Sequence, residues 1–276
     1  VTTLARLTSD DLQTWTEVEE PFIETDVNNV AMCPHLFRFG EWYYFIGGNH
    51  WFRSRKPFGP WTPHDPERLC DLFVPKTAPF GSGRRIYAGF LRDGGWGGNE
   101  VLRELVQDED GRLGTRFVPE MVPACGNEIP LEQPGGAELQ EDTVRLETDG
   151  NRSVRQALAA PFDCRIRLDV VPEPGTQSVG ISLRADADED SGCDLILDIP
   201  GGAAAFSKRT DSAGNTTPGP IIRGIRNLDR AFTVDILCRH DILDAEIGGF
   251  RATCTRFWNP AADRIELFAE NGAATF

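Results

Sequence analysis

Phe232-Thr233-Val234-Asp235-Ile236 places apolar side chains at 232, 234 and 236, with polar ones between them. Successive side chains of an extended strand point to opposite faces. A period of two therefore predicts a strand with one face on a core and the other toward water. The same alternation recurs at Ile166/Leu168/Val170, Val179/Ile181/Leu183 and Leu195/Leu197/Ile199. Half-buried strands of this kind belong to antiparallel sheets, and residues 137–276 are read as a β-sandwich. Within it, 201–219 is rich in Gly, Ala, Ser and Thr and reads as a long hairpin tip. Residues 264–276 read as a last hairpin around Glu270-Asn271-Gly272.

Toward the N-terminus the strand signals are shorter and more aromatic. Residues 4–7 precede a Ser9-Asp10-Asp11-Leu12 turn and Trp15, and 41–46 end at Gly47-Gly48. Residues 85–90 close at Arg92-Asp93-Gly94-Gly95, and 101–106 run through Asp110-Gly111, a hairpin signal, into 113–118. Helical periodicity is nowhere sustained beyond about ten residues. Between the two patterns lies 119–136, punctuated by Pro119, Pro123, Gly126, Pro130, Pro134, Gly135 and Gly136, which reads as a linker. Trp15, Trp42, Trp51, Trp61, Trp96 and all three tyrosines precede it, leaving only Trp258 after it. The expectation is an all-β chain: propeller-like blades over 1–136, then the sandwich over 137–276.

Charge narrows the partners. The 276 residues carry a formal net charge of −15, divided as −7 over 1–136 and −8 over 137–276. No basic face hides in an acidic average, which argues against duplex nucleic acid, where neutralising phosphates drives affinity. No apolar run reaches the roughly 18–20 residues that cross a bilayer, so no membrane partner is expected. The chain starts at Val1, without a Met or a signal segment, inside what reads as structured sequence; an N-terminal truncation is the expectation, and the compartment stays open. Seven scattered cysteines (33, 70, 125, 164, 193, 238, 254) form no Cys-x-x-Cys pair and read as buried free thiols in a reducing compartment rather than a zinc site. Asp186/Asp188/Asp190 has alternate spacing that could ligate Ca²⁺. It lacks the glycine and glutamate of a calcium loop and reads as a solvated tip. Ser82 has no nucleophile elbow around it, and Gly95-Trp96-Gly97-Gly98 is no phosphate loop. No cofactor is called for.

A set of motifs in a fixed order is more specific. Ser9-Asp10-Asp11-Leu12-Gln13-Thr14-Trp15 resembles the Ser-x-Asp-Leu-x-x-Trp outer-strand turn of glycoside hydrolase family 32, the levanase, inulinase and invertase group. Met32-Cys33-Pro34-His35-Leu36-Phe37 stands where that family has Glu-Cys-Pro-Asp followed by Leu or Tyr and Phe. Asp71-Leu72-Phe73-Val74-Pro75-Lys76-Thr77 and Gly83-Arg84-Arg85-Ile86 resemble its Asp-x-Tyr-Ala-Pro-Gln and Gly-Arg-Arg-Ile segments. Asp244-Ala245-Glu246-Ile247 and the segment from Asp263 to Gly272 are similar to its last sandwich strands. The resemblance implies the C-terminal half of such a protein: about two blades of a five-bladed propeller, then a β-sandwich. It implies fructose-containing glycosides as substrates, and a retaining mechanism in which one carboxylate attacks while another protonates the leaving oxygen.

The chain departs from that pattern in two ways. No segment resembles the blades that carry the nucleophilic Asp and the transition-state-binding Asp, which would precede residue 1. The acid/base Glu is replaced by Met32, and a thioether donates no proton. Glu24, Asp26 and His35 are the weak substitutes, with solvated loop carboxylates as the plain alternative for the first two. The candidate sugar-contacting residues are Cys33, His35, Trp51, Asp71, Lys76 and Trp96. Trp42, Trp51 and Trp96 could stack on sugar rings or simply pack. Asp71 and Lys76 could bind hydroxyls or form a structural ion pair. The expected partner is carbohydrate, together with a missing N-terminal half or self-association through open sheet edges. Two readings stand: a family 32-like glycosidase incomplete as this chain, and a non-catalytic carbohydrate-binding protein on the same fold.

Overall fold

The computed structural model describes residues 1–276 except 49, 64–67, 70, 131, 134–136, 139–142, 149–152, 187–190 and 210–215. The described residues form antiparallel strands throughout, with one 3-10 turn at Pro119–Met121. They fall into two compact units, Val1–Val118 and Pro119–Phe276. The stretch 119–136, read from sequence as a linker, belongs to the second unit.

In the first unit, β1 (Thr2–Thr8) pairs with β2 (Thr16–Thr25) around the predicted turn. Asp11 makes that turn: its Oδ1 accepts from the backbone N–H groups of Gln13 and Thr14 at 2.8 and 2.7 Å. Those two donors hold its carboxyl down at about 2. Two four-stranded antiparallel meanders of blade form follow. The first is β3 (His35–Phe39), β4 (Trp42–Gly47), β5 (His50–Ser54) and β6 (Thr62–Pro63). The second is β7 (Phe73–Phe80), β8 (Arg84–Arg92), β9 (Gly98–Gln107) and β10 (Leu113–Arg116). The Asp110-Gly111 hairpin forms as predicted, with the Gly111 N–H donating to Asp108 O at 3.0 Å. Aromatic residues fill this unit because short, twisted strands need bulky side chains to close the space between sheets. Phe37, Tyr44 and Trp51 stack in series, at 5.3 and 6.1 Å between centroids. Ile23, Val30, Phe45 and Phe52 form a neighbouring cluster.

In the second unit, β11 (Glu132–Gln133) and β12 (Ala137–Glu138) make a small ribbon. The remaining strands form two sheets. One holds β13 (Arg145–Glu147), β15 (Cys164–Pro172), β21 (Phe232–Arg239), β22 (Ile242–Ile247), β23 (Arg251–Arg256) and β25 (Ala273–Thr275), in the order β13-β25-β15-β21-β22-β23. The other holds β14 (Ser153–Ala159), β16 (Ser178–Ala185), β17 (Gly192–Asp198), β18 (Ala203–Arg209), β19 (Thr216–Pro218) and β24 (Arg264–Glu270), with β20 (Ile222–Arg223) beside β18. The alternating residues face inward as the period required: Val179, Ile181, Leu183, Leu195, Leu197, Val234 and Ile236 share one core.

Two expectations for this unit change. Residues 201–219 are not only a hairpin tip, because β18 and β19 lie within them and Ala203, Ala204 and Phe206 are buried. Alanine contributes little to a periodicity reading yet fits a closely packed central strand. The last two strands are no hairpin. β24 pairs with β14 and β16, while β25 pairs with β13 and β15 of the other sheet. At Asn271-Gly272 the chain crosses between sheets, and the turn is clasped from outside by Thr148 and Thr176. Gly272 donates to Thr148 Oγ1 at 2.8 Å and accepts from the Thr148 N–H at 2.9 Å. A Cβ on Gly272 would stand 2.5 Å from the Thr176 Cα, so only glycine fits there.

A buried ionic net ties five strands of the second sheet together. Glu266 Oε2 receives Arg155 at 3.2 Å and Arg209 at 3.1 Å. Asp194 receives the same two arginines at 3.0 and 3.4 Å, and Arg209 also donates to Ser182 Oγ at 2.6 Å.

Candidate functional site

Three of the segments with family-like motifs, 32–37, 71–77 and 83–86, come together in the first unit. The loop before β3 is built by close backbone approach. Met32 N–H donates to Asn29 O at 2.9 Å, and Gly48 N–H donates to Met32 O at 2.8 Å. A Cβ on Gly47 would lie 1.9 Å from Val30 O, which explains the glycine pair that ends β4. Cys33 then takes a positive φ of 48°. On the neighbouring strand β7, Val74 takes a φ of 51°, and a bulge interrupts its pairing with β8 between Phe73 and Lys76. A β-branched residue in the left-handed region is a genuine strain, and bulges re-aim side chains.

The two strained positions are joined by one side chain. Lys76 Nζ donates to Cys33 O at 2.7 Å and to Pro34 O at 3.0 Å. One residue further along, the Thr77 N–H donates to His35 Nε2 at 3.2 Å, and Thr77 Oγ1 lies 3.0 Å from the same nitrogen. Arg85 donates to Thr77 Oγ1 at 2.7 Å and lies over the Phe37 ring. An N–H aimed at Nε2 requires a lone pair there, so the ring carries its proton on Nδ1. Partial burial, then the Lys76 and Arg85 cations, hold the imidazole below its ordinary value of 6.5. His35 is therefore a neutral acceptor that locks β3 to β7, poorly suited to be a replacement acid.

The remaining candidates separate. Met32 is 49% exposed at the motif position. Between Asp26 and Glu41 the chain carries no carboxylate, and Glu24 and Asp26 are solvent-exposed. Asp71 is buried just ahead of β7. Trp51 is 1% exposed and packs on Tyr44, so the stacking role considered for it is corrected to a core role. Trp42 likewise packs, beneath the Arg55 guanidinium at 3.8 Å and against Gly111. Trp96 is 71% exposed, braced edge-on by Phe90 at 5.5 Å; Phe90 stacks on Phe73 at the start of β7. The indole thus stands beyond the β8 end that pairs with Phe73. The roles of Thr77, Arg85 and the Val74 bulge had no separate signal, although all three lie inside the motif segments. Asp188 and Asp190 of the acidic cluster lie outside the described residues. Among the described residues, no group of three His, Cys, Asp or Glu side chains could hold a metal, and no helix is long and apolar enough to cross a membrane.

No family model matches the chain, and no curated protein matches it. Solved structures do. An exo-inulinase from Aspergillus awamori matches with a TM-score of 0.62 at 12% identity, over 98% of this chain and 61% of its own. The fructan 1-exohydrolase IIa of Cichorium intybus matches with a TM-score of 0.60 at 12% identity, over 99% and 66%. The GH32 beta-fructofuranosidase of Bombyx mori matches with a TM-score of 0.59 at 12% identity, over 99% and 59%. The chain has the propeller and β-sandwich fold of glycoside hydrolase family 32, as the motif order implies. It spans about three fifths to two thirds of those chains' lengths.

Proposed function

We propose that this chain recognises fructose-containing carbohydrate on a family 32 fold without hydrolysing it. The observation that carries the proposal is Met32, half exposed on a loop latched by Lys76 at the position where the resemblance puts the acid/base glutamate. Loss of a general acid typically lowers a rate by about 10²–10⁴-fold. His35, bound through Nε2 to Thr77, does not supply that proton. The exposed indole face of Trp96 and the exposed ammonium group of Lys76 are groups of the kind that suit hydroxyl-rich rings. The substrate class comes from the motif resemblance and is supported by the fold likeness to fructan- and sucrose-acting enzymes.

A second reading has a specific observation behind it. The solved relatives are hydrolases whose chains are longer than this one, and residues 1–276 hold no counterpart of the nucleophile motif. On that reading this sequence is the C-terminal half of a glycosidase, active only when completed. Fructose release from sucrose, inulin and levan tests the first reading, since the second expects activity only once the chain is completed. The first expects none from this chain; turnover that follows the protein through purification and is lost on heating would overturn it.

A further inference from the structure

In the sandwich unit, Cys164 opens β15 and faces Cys238 of β21 directly across the ladder. Cα atoms directly opposite in an antiparallel pair lie about 4.5–5.5 Å apart, inside the range a disulfide spans. Both cysteines are free thiols. They line one pocket with Ala160, Pro161, Phe162 and Arg184. Cys164 is partly exposed there, whereas Cys238 is 5% exposed.

Arg184 is the unusual member. The pairing of β16 with β24 is interrupted between Ser182 and Ala185, Arg184 takes a positive φ of 52°, and its side chain is 2% exposed. The bulge turns the guanidinium into the pocket, 3.8 Å from the Phe162 ring centroid, with Nη1 donating to Phe257 O at 2.7 Å. Among the described residues Nε and Nη2 find no hydrogen-bond partner, and the ion pair with Asp163 is long, at 3.7 Å. A buried cation so loosely matched favours an anion beside it. Contact with its neighbour Cys238, against the effect of burial and helped by Arg184, pulls the Cys164 thiol below its ordinary value. The same contact and burial push Cys238 up.

We propose that Cys164 and Cys238 form a redox-modifiable pair, in which Cys164 is oxidised by a peroxide and Cys238 resolves it to a disulfide across β15 and β21. The Cys164 thiolate attacks one peroxide oxygen and the O–O bond breaks, leaving Cys164 as a sulfenic acid and releasing hydroxide. The Cys238 sulfur then attacks the sulfenic sulfur; its proton and the departing hydroxide leave as water. In sum two thiols are oxidised by two electrons and one peroxide is reduced to two waters. Arg184 is a positioning residue that stabilises the thiolate.

The whole chain treated with hydrogen peroxide, quenched with catalase, alkylated and cut with trypsin tests this. The expected product is residues 156–165 linked to residues 231–239, lost on treatment with dithiothreitol. In Cys238→Ser the expected product is a sulfenic acid at Cys164, trapped by dimedone, with folding checked by circular dichroism. The proposal is overturned if both thiols stay free at a peroxide level that oxidises the exposed Cys33 or Cys125. It is equally overturned if Cys164 proceeds to sulfinic acid in the unaltered chain with no link formed. The mapping of the unaltered chain decides the matter even if the variant does not fold.

Discussion

Lys76 does two things that its position alone does not reveal. Its ammonium group satisfies the carbonyls of a strained loop, and it stands beside the exposed Met32. Lys76→Met removes charge-assisted hydrogen bonds worth about 1.5–3 kcal/mol in buried settings and less at this exposed site. We expect a fall of about 1 kcal/mol in urea-unfolding stability, with a larger proportional loss in ligand affinity. His35 makes a pH-dependent contribution. Its folded pKa is depressed, so the unfolded chain binds the proton more readily. The stability it contributes is present above the unfolded value near 6.5 and is lost as pH falls through the lower folded value. Urea midpoints at pH 5.5 and 7.5 should therefore lie closer together in His35→Gln than in the unaltered chain; an unchanged gap would show that His35 is not held neutral. At this scale the sequence disclosed position but not role. Trp51 was misleading because an indole beside a glycine pair looks alike whether it faces solvent or core.

Elements were most legible where one strand face is buried. The alternation at 179–183 and 232–236 placed β16 and β21 correctly because a slip of one residue would turn a whole apolar set outward. Small residues hid β18, and a turn signal at Asn271-Gly272 suggested a hairpin where the chain changes sheet. Sequence reports a reversal of direction, but not which partner receives the next strand. The glycine pair that ends β4 gives a sharp test at this scale. Gly47→Ala would force its Cβ against Val30 O and displace the loop carrying Met32. The expected cost is about 1–3 kcal/mol in chemical denaturation, as for overpacking elsewhere. A neutral substitution would mean that the loop is not held by that contact.

For the whole molecule, two units with separate cores should respond separately to damage. Glu104 of the first unit is clamped by Arg84 and Arg116 at 2.7 Å each. Burial opposes its ionisation, but the hydrogen bonds from the two arginines prevail and lower its pKa. That contribution is present above its ordinary 4.5 and is lost as pH falls through the folded value, so Glu104→Gln should flatten the acid limb of one thermal transition. Glu266→Gln leaves two arginines of the second unit short of a charge and should lower the other transition, at a cost of about 3 kcal/mol. Calorimetry of both variants checks this; equal movement of a single transition by both would contradict independent units. The fold was readable at this scale from motif order, because propellers repeat their turns. The chemistry was less so, since it depends on what one loop position carries.

The most direct measurement is isothermal titration of the chain with 1-kestose and with inulin, with free fructose assayed in the same cell afterwards. The account predicts saturable binding, weakened in Lys76→Met and in Trp96→Ala, with no fructose released. Fructose release in proportion to protein, or binding that neither substitution weakens, would contradict it.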